Sequence, residues 1–158
     1  MRAFSGTASG AVALHGKQKP RDTASAMSQE NAFSVRENLE AFDRRDRAAF
    51  LSGRDPACEV IPDRNWPEVG VIRGREAVWE FYLSVAEALG LVSDDAEIID
   101  AGSDKVVTHR GAQARGQTSG AGVVFDYSVV ATFREGKIFR EQWFADRSAA
   151  LEAAGLSE

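Results

Sequence analysis

The chain has 158 residues, a net charge of −5, 44% hydrophobic and 27% charged residues, which is the size and composition of one domain with its own core. No run approaches the roughly 20 apolar residues of a membrane-spanning helix, and no cluster of Lys and Arg forms the basic stripe that phosphate binding needs, so neither membrane nor nucleic acid is an expected partner. Arg2, Lys17, Lys19 and Arg21 against Asp22 put the first 27 residues at +3 and leave −8 for the remainder. Cys58 is the only cysteine, which excludes an intrachain disulfide and suits a reducing, cytoplasmic setting. The two histidines, His15 and His109, form no cluster with metal-ligand spacing. A phosphate loop, a dinucleotide fingerprint and a nucleophile elbow are all absent, so no metal and no cofactor is expected.

In chain order, residues 1–27 are rich in Ala, Gly, Ser and Thr without a hydrophobic period, and are expected to be a disordered extension. Met27-Ser-Gln-Glu-Asn reads as the natural start, placing the domain at 28–158. Ser28 is positioned to cap a first helix, whose buried stripe would be Ala32, Val35, Leu39 and Phe42. Residues 46–52 read as a second short helix ended by Gly53, and Ala57 to Ile61 as a strand carrying Cys58 as a small buried hydrophobe. An irregular loop from Pro62 to Val71 holds Asp63, Asn65 and Trp66. Val78, Phe81, Tyr82, Val85 and Leu89 form the stripe of a third helix after Gly74. Four strands are then predicted at about 95–101, 104–115, 120–134 and 137–145, separated by turn residues that include Glu135-Gly136. Asp146 ends the last strand and precedes an Ala/Leu-rich helix, 147–154, with Gly155 behind it.

Helices first and hairpin-linked strands last argue an α+β domain, helices on one face of an antiparallel sheet. Alternation within the strands separates their side chains into two faces. His109 shares a face with Val107 and Gly111, opposite Arg110. Tyr127 continues the apolar set Val123, Phe125, Val129, Ala131 and Phe133, while Asp126 lies with Val124, Ser128, Val130 and Thr132. Asp146 stands where sheet meets helix; capping alone explains an Asp there, and acid–base chemistry is the functional alternative. His109 and Asp126 are further candidate proton carriers, with a structural histidine and a surface carboxylate as the alternatives.

Several segments resemble the nuclear transport factor 2-like superfamily, in its polyketide cyclase (SnoaL-like) branch. They are Asn38-Leu39-Glu40-Ala41-Phe42, the stretch from Pro67 to Val78, Glu135-Gly136-Lys137-Ile138, and Asp146-Arg147 with Ala150-Leu151-Glu152-Ala153-Ala154-Gly155-Leu156. The resemblance implies a cone, a strongly curved antiparallel sheet wrapped around three N-terminal helices with a short C-terminal helix. It also implies a pocket for a small apolar organic ligand, and a homodimer.

The superfamily's chemistries can be tested against these residues. A ketosteroid isomerase places a tyrosine and a second acid in an apolar site. Here the first helix offers Phe33 and Phe42, and Val129-Val130-Ala131 stands where the acid would be. A limonene epoxide hydrolase uses an Asp-Arg-Asp set. Arg110 matches the arginine, but Ala112 and Trp143 occupy the acid positions. A polyketide cyclase uses one aspartate for an aldol closure, and Asp146 lies near its place. The resemblance therefore implies cofactor-free acid–base chemistry on a cyclic or polyketide-like carbonyl compound, with Asp146, His109 and Asp126 as candidate catalytic residues. Trp66, Trp79, Tyr82, Tyr127, Trp143 and Phe144 would form pocket walls, Arg110 would bind an acidic group, and Trp66 would act as a lid. A non-catalytic ligand-binding or interaction module of the same fold is the alternative.

Overall fold

Glu135 and Gly136 both take left-handed backbone angles (φ 51° and 77°), the conformation a two-residue hairpin turn needs to match strand twist. That turn joins the two strands on which the fold is built. A computed structural model describes residues 20–66, 70–89, 92–93, 96–102, 104–115 and 122–156. In chain order these form α1 (Pro20–Asp43), α2 (Arg47–Ser52), β1 (Arg54–Ile61), β2 (Ile72–Arg73), α3 (Arg75–Leu89), β3 (Val92–Ser93), β4 (Glu97–Asp100), β5 (Lys105–Arg115), β6 (Gly122–Arg134), β7 (Lys137–Phe144) and α4 (Arg147–Ala153). No described helix is long and apolar enough to cross a membrane.

The strands form one open sheet in the order β2-β1-β7-β6-β5-β3, with β4 also paired to β5. The three predicted N-terminal helices, the four strands that follow and the C-terminal helix are all present. The sheet is mixed rather than antiparallel throughout, because β1 runs parallel to β7. That pairing joins the first long strand to the last, across everything between them, and hairpin signals carry no information about it. The two-residue strands β2 and β3 are too short to show a period.

The start of α1 also differs from expectation. The helix runs from Pro20, so residues 20–27 are helical, and the rest of the predicted disordered extension, 1–19, lies outside the described residues. Ser28 is consequently not a cap. It is buried in the helix, and its hydroxyl donates to Asp100 Oδ2 at 2.7 Å, tying α1 to β4. Arg45, at φ 58°, turns the chain sharply after α1, and Asp46 caps α2 by accepting from the Ala49 amide at 3.1 Å.

The sheet has two differently covered faces. On the inner face, α1, α2 and α3 enclose a core of Phe42, Phe50, Cys58, Val60, Val78, Trp79, Phe81, Tyr82 and Trp143, its rings mostly edge to face at centroid distances of 5.0–6.4 Å, the arrangement aromatic quadrupoles favour. Cys58 is fully buried there, as expected, and burial pushes its thiol pKa up. On the outer face α4 lays Ala150, Leu151 and Ala154 over Val107 and Val130.

Candidate functional site

One stripe of α1 meets one face of the sheet without filling the space between them. The result is a cavity of about 380 Å³. Val35, Asn38, Leu39, Phe42 and Asp43 line it from α1; Tyr82, Val85 and Ala86 from α3; and Thr108, Arg110, Tyr127, Val129, Ile138, Glu141 and Trp143 from β5, β6 and β7. The strand registers explain the selection. Thr108 lies opposite Val129, Arg110 opposite Tyr127, and Val129 opposite Trp143, so these side chains share the inner face.

At the inner end the walls are polar and closed. Glu141 is 5% exposed. Its Oε1 accepts from the Tyr82 hydroxyl at 2.6 Å and its Oε2 from Arg54 Nη2 at 3.0 Å. Arg54, 1% exposed, also donates through Nε and Nη2 to Asn38 Oδ1 at 3.1 and 2.9 Å, and lies 4.3 Å from the centroid of the Phe50 ring. Asn38 Nδ2 is fixed in turn by the Phe50 carbonyl at 2.9 Å. A buried charge persists only when paired and hydrogen-bonded, and here each charge has both. Burial works to lower the Arg54 pKa, but the facing Glu141 and Tyr82 outweigh it and hold the guanidinium above its usual value. Burial, followed by the Glu141 charge, pushes the Tyr82 phenol well up, so it stays a donor.

The other end reaches solvent. Arg110 is 7% exposed, and its Nη2 donates to Asp43 Oδ2 at 3.1 Å and to Oδ1 at 3.4 Å, while the Asp43 side chain is half exposed. Arg45 also lines this end. It donates through Nη1 to the Phe42 carbonyl at 2.7 Å, and its guanidinium lies 4.2 Å from the centroid of the Phe42 ring. Tyr127 stacks on Trp143 at 5.5 Å, and burial raises its pKa against the opposing Arg110 charge. Among the described residues, Arg54 Nη1 and Trp143 Nε1 are buried without a hydrogen-bond partner, and no group of three His, Cys, Asp or Glu side chains is placed to hold a metal.

Of the residues singled out from sequence, Tyr82, Arg110, Tyr127 and Trp143 meet at this cavity. The other six lie elsewhere. Trp79 is core, packed on Phe42 and Phe50. Trp66 packs behind Trp143, against Phe81. Phe144 belongs to the outer cluster beside α4. The three candidate proton carriers all lie outside the cavity lining. Asp146 is exposed and caps α4, accepting from the Ser148 amide at 3.1 Å. His109 lies on the outer face, its Nδ1 2.9 Å from Ser128 Oγ. Asp126 is exposed opposite Gly111 on that same face. Alternation had separated His109 from Arg110 and Asp126 from Tyr127 correctly, but the face carrying the acids turns outward.

Sequence reasoning missed Asn38, Asp43, Arg45, Arg54, Thr108 and Glu141. Three of them had a signal. Asn38 and Asp43 fall in the helical stripe that runs through Val35, Leu39 and Phe42, and Glu141 is in phase with Trp143 on its strand.

Residues 35–141, more than half of the chain, match the SnoaL-like domain family. The chain therefore belongs to that family, within the nuclear transport factor 2-like superfamily. Among solved structures it is similar to an NTF2-like protein from Burkholderia xenovorans LB400, with 22% identity, a TM-score of 0.63, and 80% of this chain and 96% of that one covered. It is also similar to TerC co-crystallised with polyporic acid, with 23% identity, a TM-score of 0.59 and coverage of 80% and 98%. A third is a SnoaL-like polyketide cyclase from Jannaschia sp. CCS1, so named as putative, with 17% identity, a TM-score of 0.58 and coverage of 80% and 88%. No curated protein matches the chain.

Proposed function

We propose that this protein binds a small, largely apolar organic molecule in the cavity between α1, α3 and the sheet. The observation that carries the reading is the cavity itself. Its volume of about 380 Å³ falls in the range of about 300–1,000 Å³ typical of small-molecule sites, and Phe42, Tyr82, Tyr127 and Trp143 wall it beside a few placed polar groups. The co-crystal of TerC with polyporic acid supports a ligand of this kind in this fold. A homodimer belongs to the same reading, and light scattering on the purified protein measures it.

Catalysis is the second reading, and one observation favours it. Asp43 is a half-exposed carboxylate lining the cavity beside Arg110, so it can meet a ligand as a general base. Glu141 is less suited to that task, since it is buried with Tyr82 and Arg54 on its two oxygens, whereas Asp43 is half exposed. In this reading Asp43 takes the role first given to Asp146, in cofactor-free acid–base chemistry on a carbonyl compound.

The test is thermal-shift screening of a panel of aromatic and alicyclic carbonyl compounds against the wild type and Val85→Trp, whose indole would fill the cavity. Stabilisation of the wild type by a panel member, lost in Val85→Trp, is the expected result. Equal stabilisation of both would place binding elsewhere and end the reading. Mass spectrometry of the recovered ligand separates binding from turnover, and turnover lost in Asp43→Asn with binding retained would favour the enzyme.

A further inference from the structure

Resting on that binding reading, we propose that the ligand carries a carboxylate, held at the solvent end of the cavity between Arg110 and Arg45. The chain as a whole is acidic, at −5, yet among the described residues that line this end two guanidinium groups stand against the one carboxylate of Asp43. At the inner end Glu141 is already neutralised by Arg54. One positive charge is therefore in surplus, and it lies where the cavity opens.

The hydrogen-bonding inventory is lopsided in the same sense. Arg110 and Arg45 only donate, and the hydroxyl of Thr108 can donate beside them. An acceptor-rich guest is therefore favoured over a donor-rich one at this end. Arg45 is held at the rim by the Phe42 carbonyl and ring, and Arg110 is held by Asp43, so neither cation has to be ordered when the ligand arrives. The aromatic wall behind them fits the apolar body of the same molecule.

The experiment compares matched pairs by isothermal titration: naphthalene-2-carboxylate with its carboxamide, and biphenyl-4-carboxylate with its carboxamide. Shape and ring area are kept within each pair, and only the charge of the head group changes. The wild type is expected to bind each acid at least roughly tenfold more tightly than its amide. Arg110→Gln and Arg45→Gln are each expected to reduce that preference. Arg45 is exposed, so its variant keeps the test alive if Arg110→Gln fails to fold. Acid and amide binding equally well to the wild type, with both lost in Val85→Trp, would overturn the carboxylate assignment and leave the pocket reading standing. Absence of binding by every member of both pairs would overturn the two together. An acid preference unchanged in both arginine variants would also overturn the assignment, because the selecting charge would then lie elsewhere.

Discussion

The Tyr82 hydroxyl donates to Glu141 Oε1 at 2.6 Å, so the middle of α3 and the last strand are joined by a buried hydrogen bond at the inner end of the cavity. Arg54 completes the set from β1. Three elements far apart in the chain converge on one carboxylate, and the stability of the domain should respond when any member is removed.

Arg54 is the most consequential of them. Replacing it with Ala leaves Glu141 buried without its counter-charge, which should cost about 3–5 kcal/mol. Replacing both ends with apolar residues of similar volume, Arg54→Met with Glu141→Leu, should recover most of that loss. Urea unfolding midpoints measure both. A single variant as stable as the wild type would show that solvent reaches the pair.

Alkaline pH should weaken the fold. The folded-state pKa values of Tyr82 and Tyr127 are raised, chiefly by burial. Their contribution is therefore fully present below the unfolded phenol value of about 10 and is lost as pH rises from there through the folded value. Unfolding free energy measured across that window should fall with pH, and more gently in Tyr82→Phe. At neutral pH that variant should itself be weaker by about 1–3 kcal/mol, because Glu141 Oε1 loses its donor. A pH profile identical in the two proteins would assign the alkaline loss to other groups.

Gly53 has an ordinary helical conformation (φ −81°), so its small size answers to space and not to backbone freedom. A Cβ there would stand 2.8 Å from Asn38 Nδ2, the amide that fixes Asn38 to the Phe50 carbonyl and so orients Arg54. Gly53→Ala should destabilise by about 1–3 kcal/mol and weaken any ligand measured in the cavity. A variant that melts with the wild type would mean that Asn38 moves aside freely.

Asp146→Ala should cost about 1 kcal/mol through loss of the α4 cap, with ligand affinity in the cavity unchanged, since Asp146 lies outside the lining. Chemical denaturation and titration of the same samples separate the two effects. Weakened binding without loss of stability would return Asp146 to the list of functional groups.

The outcome for Asp146 shows where sequence is informative. Strand alternation, the Glu135-Gly136 turn and the Asp146 cap are written in neighbouring residues, and local steric and hydrogen-bonding rules suffice to read them. Arg54 is different. Nothing near Gly53-Arg54-Asp55 says that this guanidinium is buried, because its reason is Glu141, 87 positions away, on a strand paired in parallel. His109 and Arg110 mark the boundary between the two cases. Alternation shows that they oppose each other, but which of them faces the helices is decided by how α1 and α4 cover the sheet. Aromatic residues carried the same ambiguity. Tyr82 and Trp143 reach the cavity, whereas Trp79 and Phe144, equally apolar, are consumed by packing.

The parallel pairing of β1 with β7 has a consequence for the order in which the molecule is made. Synthesis delivers α1, α2, β1 and α3 early, but the counter-charge for Arg54 sits on β7. Contacts across such separations form slowly, because a long loop must close before they return any energy. Until residue 141 has left the ribosome, the nascent domain holds an arginine destined for its interior with nothing to neutralise it. The cavity is thus closed only once β7 has been made, because Glu141 and Trp143 supply part of its wall.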